Sequence, residues 1–180
     1  MPVDRRSLDR WVSSSRKDFE SQLRRLVEIP TVSMAPKHAP DIVKGAKAAA
    51  ALLRDHGGES EILPTRGNPV VFGRFASDPR HPTVTIYNHL DVQPAEEPSW
   101  KREPFRMSVE GDRYYARGAT DDKGPALAVL FAAAEARRQK LPVNIQFLWE
   151  LEEEIGSPNF DAFVKKNAKT LASDVIVVSD

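Results

Sequence analysis

Residues 83–94, TVTIYNHLDVQP, run an apolar segment straight into a histidine and an aspartate two residues apart. Thr83 to Tyr87 are β-branched or aromatic, follow the breaker Pro82 and contain no glycine, which is the composition of a short buried strand. Side chains at i and i+2 of extended backbone point the same way, so His89 and Asp91 leave the C-terminal mouth of that strand together. The Asp91 carboxylate can then hold one nitrogen of the His89 ring while the other faces a cavity, as a metal-binding histidine requires. An H-x-D by itself equally fits a polar strand end in a solvated loop, so its meaning depends on what converges there.

Upstream of this strand, Leu8, Trp11, Val12, Phe19, Leu23, Leu26 and Val27 recur at three- and four-residue intervals and predict an amphipathic helix stopped by Pro30. A second helix is expected from Asp41 as N-cap, through Ile42, Ala46, Ala49, Leu52 and Leu53, to Gly57-Gly58. His56 falls in its last turn, where interaction with the helix dipole is the expected role. Glu61–Leu63 and Val70–Phe75 read as strands about the turn Arg66-Gly67-Asn68-Pro69. Downstream, Pro94 to Arg113 loosens into a surface excursion with a hairpin turn at Glu110-Gly111-Asp112.

Two further constellations follow. In YYARGATDDKGP, Tyr114 to Pro125, Pro125 at N1 opens a helix, ALAVLFAAAEARRQ, that is apolar nearly all round and therefore buried against the sheet. Asp121 and Asp122 sit in the turn entering it. Turn chemistry alone favours Asp there, but two adjacent carboxylates beside an apolar helix repel by a few kcal/mol unless a cation compensates. Next, the strand Val143–Trp149 leads into ELEEEIGSPNF, which places Glu150, Glu152, Glu153 and Glu154 at its C-terminal end, before a helix from Asn159 or Phe160 to Lys166. Acidic runs are commonly solvated, and this one acquires meaning only through position. A last apolar strand, DVIVVSD, ends in Asp180. His89, Asp121, Glu153-Glu154 and Asp180 thus all fall at or just beyond strand ends, the edge of an α/β sheet where ligands bind.

Composition narrows the possibilities. The 180 residues carry 26 basic and 26 acidic side chains, 41% are hydrophobic and there is no cysteine. One α/β-sized domain can bury a core at this length, and the even charge suggests neither a nucleic acid nor an anionic membrane as partner. No apolar run reaches the ~18 residues a membrane span needs, and the opening MPVDRRSLDRW is charged where a leader would be apolar, so a cytoplasmic location is the default expectation. Without thiolates, any metal must be held by His, Asp and Glu. No repeat or linker divides the chain.

HLDVQP, RGATDDKGP, EEIGS and VSD, in this order, resemble the di-zinc metallopeptidases that include carnosinase-type dipeptidases, acetylornithine deacetylase, succinyl-diaminopimelate desuccinylase and glutamate carboxypeptidase. The likeness spans roughly Leu23 to Asp180, with IPTVS at Ile29–Ser33 as a weaker element, and is greatest to the carnosinase or nonspecific dipeptidase branch. It implies an α/β fold with a central mixed sheet flanked by helices, zinc-aminopeptidase-like. Residues 1–180 would form the N-terminal portion of the catalytic domain, and a lid domain, a further histidine ligand and any homodimer contact through the lid would lie outside these residues.

The resemblance further implies two divalent metal ions, Zn first and Mn or Co as alternatives. His89 and Asp180 would bind one, Glu154 the other, and Asp121 would bridge them. Glu153 would be the general base and Asp91 the partner of His89, with Glu152 outside the site. The implied reaction is hydrolysis of a dipeptide or short-peptide amide by a bridging hydroxide, the alternatives being an N-acyl amino acid deacylase and a non-catalytic homologue. This chain alone would be inactive, lacking the further histidine and the lid. His38, His56 and His81 match no ligand motif. The chemistry is coherent, since zinc accepts imidazole and carboxylate donors and one carboxylate can span paired ions about 3.5–4 Å apart. A cis bond at Asp121-Asp122 is expected, turning Asp121 toward the metals and Asp122 away.

Overall fold

A computed structural model describes residues 4–180; the first three residues of the charged opening segment lie outside them. The architecture is α/β, with one mixed sheet between helices. Helix α1 (Arg5–Val27) is capped by Asp4, whose carboxylate accepts from the backbone N–H groups of Arg6 and Ser7, and buries Leu23, Leu26 and Val27. Helix α2 (Ala39–Asp55) begins two residues before the expected N-cap. Pro40 occupies its first turn, and Asp41, inside the helix, is bound at 2.8 Å by the ring of His38. Proline costs nothing at a position whose N–H has no intrahelical partner, so the helix extends back through it.

Strands β1 (Glu59–Leu63), β2 (Val70–Phe75) and β3 (Thr83–His89) follow, then a two-stranded hairpin of β4 (Ser108–Glu110) and β5 (Arg113–Tyr115) about Gly111, whose φ is +61°. Helix α3 (Lys123–Arg138) starts at Lys123 rather than Pro125, again because a first-turn proline sacrifices no hydrogen bond. β6 (Asn144–Glu150), helix α4 (Phe160–Lys166) and β7 (Val175–Val178) complete the chain.

The sheet order is β1-β2-β6-β3-β7, antiparallel from β1 to β6 and parallel across β6, β3 and β7. Period-two alternation sorts the two faces. Val71 and Phe75 of β2, with Ile145, Phe147 and Trp149 of β6, face the larger core shared with α1, α2 and α3. Val70, Phe72 and Leu148 face a smaller core closed by Phe163 of α4. Strand β6, paired on both sides and covered on both faces, is buried throughout, including its polar Asn144, Gln146 and Glu150. β7 pairs only with β3, and Val175 to Val178 are all exposed, so this apolar strand is an uncovered edge. The parallel register sets His89 opposite Glu150 and Tyr87 opposite Val178, so β3, β6 and β7 bring their C-terminal ends to one edge. No helix among the described residues is long and apolar enough to cross a membrane.

A candidate metal centre at the sheet edge

His89 ends β3 with its ring 1% exposed. Its Nε2 faces Asp121 Oδ1 at 2.8 Å, Asp180 Oδ1 at 3.5 Å and Glu153 Oε2 at 3.9 Å, three carboxylates from three separate chain segments. Ligand atoms of His89, Asp121 and Glu154 lie within 4.8 Å of one another, as do those of His89, Asp122 and Asp180. Burial disfavours the charged ring, but the hydrogen bond to Asp91 and the charges of Asp91, Asp122 and Asp121 outweigh it and push the His89 pKa up to about 10. A cation presented to this cluster meets the same field. The donor set, one imidazole with carboxylates and no thiolate, fits a divalent metal of the zinc or manganese type.

Asp91 is fully buried, and its carboxylate serves more than the His89 ring. Its carboxylate lies 3.5 Å from His89 Nδ1, a loose contact beside the 3.2 Å approach of that nitrogen to the Asp91 carbonyl. Both carboxylate oxygens also accept backbone N–H bonds at 3.1 Å, Oδ1 from Glu153 and Oδ2 from Glu154. Asp91 therefore fastens the end of β3 to the 3-10 turn Glu153–Ile155 that follows β6. Partners 62 and 63 residues away leave no local signal.

The acidic run divides by environment. Glu150 is buried and accepts from the Tyr87 and Ser157 hydroxyls, and burial raises its pKa. Glu152, also buried, accepts from the Asn68 backbone N–H at 2.7 Å and from the Asn159 amide, away from the cluster. Glu153 and Glu154 face the cluster from beside this anchor. Burial, opposed by His89 and supported by Glu154, Asp180 and Asp91, raises the pKa of Glu153.

The Asp121-Asp122 bond is cis and the two carboxylates diverge. Asp121 is well exposed toward His89 Nε2, whereas Asp122 is buried and its Oδ2 accepts from Asn88 Nδ2 at 2.9 Å and the His89 backbone N–H at 3.0 Å. Burial lifts Asp122 to about 6 against those bonds and the His89 charge, with Asp180 adding to the rise. Asp122 Oδ1 and Asn88 Oδ1 are buried without a hydrogen-bond partner. Asn88 also donates to the Ser179 carbonyl at 2.7 Å, linking the Asp121-Asp122 turn to the residue before Asp180. Asn88 carried no sequence signal apart from its place next to His89. His38, His81 and His56 lie outside the cluster; His56 Nε2 donates to Gln22 Oε1 at 2.9 Å, and the ring packs on Phe131. Burial lowers its pKa, which opposes the dipole role expected for a charged ring.

Peptidase family M20/M25/M40 matches residues 85–178, the span from β3 through β7. Beta-Ala-His dipeptidase of Rattus norvegicus is 33% identical over 193 residues, which cover 96% of this chain and 39% of that protein. Cys-Gly metallodipeptidase dug1 of Schizosaccharomyces pombe is 32% identical over 188 residues, covering 94% and 39%. The crystal structure of human carnosine dipeptidase 1 superposes with a TM-score of 0.90 at 30% identity, over 99% of this chain and 41% of that one. The chain thus spans about two fifths of the length of the relatives it matches.

Proposed function

Because this chain belongs to peptidase family M20/M25/M40, we propose that it carries most of the cation-binding edge of a dipeptidase active site, acting on the amide bond of a dipeptide or short peptide. The observation that supports this reading most is the ring of three carboxylates about the buried Nε2 of His89. His89 and Asp180 would hold one divalent cation and Glu154 the other, with Asp121 shared; zinc suits these donors best, manganese or cobalt next. Bound there, the pair supplies Lewis acidity that lowers the pKa of water and polarises the scissile carbonyl.

The protein's own groups do the rest. Glu153 stands 3.9 Å from His89 Nε2 with its pKa raised, able to take a proton from water and return it to the departing amine. Asp91 holds the Glu153 and Glu154 backbone in place through the two N–H bonds, so the base and the neighbouring ligand keep a constant offset. Asn88 and Asp122 keep the Asp121 turn against β3.

The test is made on the protein that carries this chain, loaded with Zn²⁺. Stoichiometric cation uptake and chelator-sensitive hydrolysis of free dipeptides are expected, with slow turnover of N-acetyl and N-succinyl amino acids. Faster turnover of the N-acyl compounds would move the reading to a deacylase, and failure to take up divalent cations would refute it.

A further inference from the structure

Gln93 has no role in the site assigned above, yet all three of its hydrogen-bond donors go to one neighbour. Its backbone N–H donates to Glu154 Oε1 at 3.2 Å, and its side-chain amide donates to Glu154 Oε2 at 2.8 Å and to the Glu154 carbonyl at 3.0 Å. Among the described residues, no other donor reaches that carboxylate. The donor is itself held. Val92, between Asp91 and Gln93, is buried, bridges Val32 in parallel and donates its N–H to the Thr31 carbonyl at 3.0 Å. His89, Asp91 and Gln93 therefore recur with the period of an extended chain, one at the cluster, one on the Glu153 and Glu154 amides, one on the Glu154 side chain.

Resting on the site reading above, we propose that Gln93 is a positioning residue that sets the carboxylate of Glu154 for cation binding. A free glutamate side chain samples many rotamers and loses that freedom when it is fixed on a ligand. Donors on both oxygens fix the carboxylate plane in advance and leave each oxygen a further lone pair. Those lone pairs are available toward His89 and Asp121, whose ligand atoms lie within 4.8 Å of that of Glu154. Hydrogen-bonded partners of ligating carboxylates act in this way on metal affinity.

The test compares the unmodified protein with Gln93→Met, which keeps the length of the side chain and removes its donors, and with isosteric Gln93→Glu, which sets an acceptor against Glu154. Zn²⁺ affinities are measured by competition with a chromophoric chelator, Co²⁺ coordination by its visible absorption, and scaffold integrity by cation-free thermal unfolding. The expected result is that one of the two Zn²⁺ affinities falls by roughly 10- to 100-fold in both variants and the Co²⁺ band at that site changes, while the other affinity and the cation-free midpoint hold. Unchanged affinities in both variants would overturn the proposal. So would equal weakening of both cations with a lower cation-free midpoint, the signature of a residue that only stitches loops together. If the unmodified protein binds two cations and the variants bind both with unchanged affinity, the role of Gln93 alone is refuted; if the unmodified protein binds none, the site reading fails and this inference with it.

Discussion

Replacing Asp91 with Asn isolates the brace between β3 and the Glu153–Ile155 turn. Asp91 is fully buried, and each of its oxygens accepts one backbone N–H at 3.1 Å. Hydrogen bonds to a charged acceptor contribute about 1.5–3 kcal/mol each. Asn keeps one carbonyl oxygen but faces the second amide with its own NH₂, so one bond is lost outright, one becomes neutral, and a buried N–H is orphaned. Against that loss of roughly 3–4 kcal/mol, to which the lost attraction to the protonated His89 ring adds, removing the charge relieves repulsion with Glu153 and Glu150, both of which Asp91 pushes toward the protonated form. A net destabilisation of about 2 kcal/mol is expected, a substantial share of the ~5–15 kcal/mol that holds a domain folded. Urea unfolding of the cation-free protein at neutral pH measures it, and amide exchange at Glu153 and Glu154 shows where it arises. The His89 pKa should also fall from about 10, because Asp91 contributes its largest favourable interactions. Stability within ~0.5 kcal/mol of the unmodified protein, with both amides still protected, would refute the reasoning.

Two other substitutions separate chemistry from scaffold. Glu153→Gln should retain cations while lowering kcat by about 10²-fold or more, whereas Asp121→Asn should lose them, as elemental analysis and steady-state assays will show; loss of cations in Glu153→Gln with retention in Glu154→Gln would move the acidic register by one residue. Lys123 is buried, and its ammonium donates to the Leu26 and Ile29 carbonyls at 3.1 and 2.8 Å. Burial pulls its pKa down from 10.5 to about 7 against the opposing charges of Asp91 and Asp41. The unfolded chain therefore holds this proton through a window in which the folded protein has released it. Stability attributable to Lys123 rises with pH from about 7 to about 10 by up to ~1.4 kcal/mol per unit and is lost on acidification. Chemical denaturation of the unmodified protein and Lys123→Met across that range should show a gap that changes with pH, and a constant gap would contradict the shift.

Local pattern was enough for most elements. The apolar period of α1, the apolar cluster opening β2, the apolar core of β6 and the turn residues at Gly67 and Gly111 depend on neighbours a few positions apart, which are visible in the chain itself. Departures came at two helix starts, where the sequence predicts Asp41 as the N-cap of α2 and Pro125 as the first residue of α3, because a proline anywhere in the first turn sacrifices no intrahelical N–H bond and lets the helix begin earlier. His89, Glu153, Glu154 and Asp180 could be marked in advance because the C-terminal edge of parallel strands collects whatever polar residues follow them, and Asp121 joins them from the turn that enters α3. What those residues lean on could not. The amides that Asp91 receives, the single glutamate that Gln93 clamps, the burial of Asp122 beneath Asn88 and the diversion of Glu152 to Asn68 all join segments 34 to 84 residues apart. Such pairings follow from the register of β3 against β6 and β7, and a strand's sequence states which of its side chains share a face but not which partner stands opposite them.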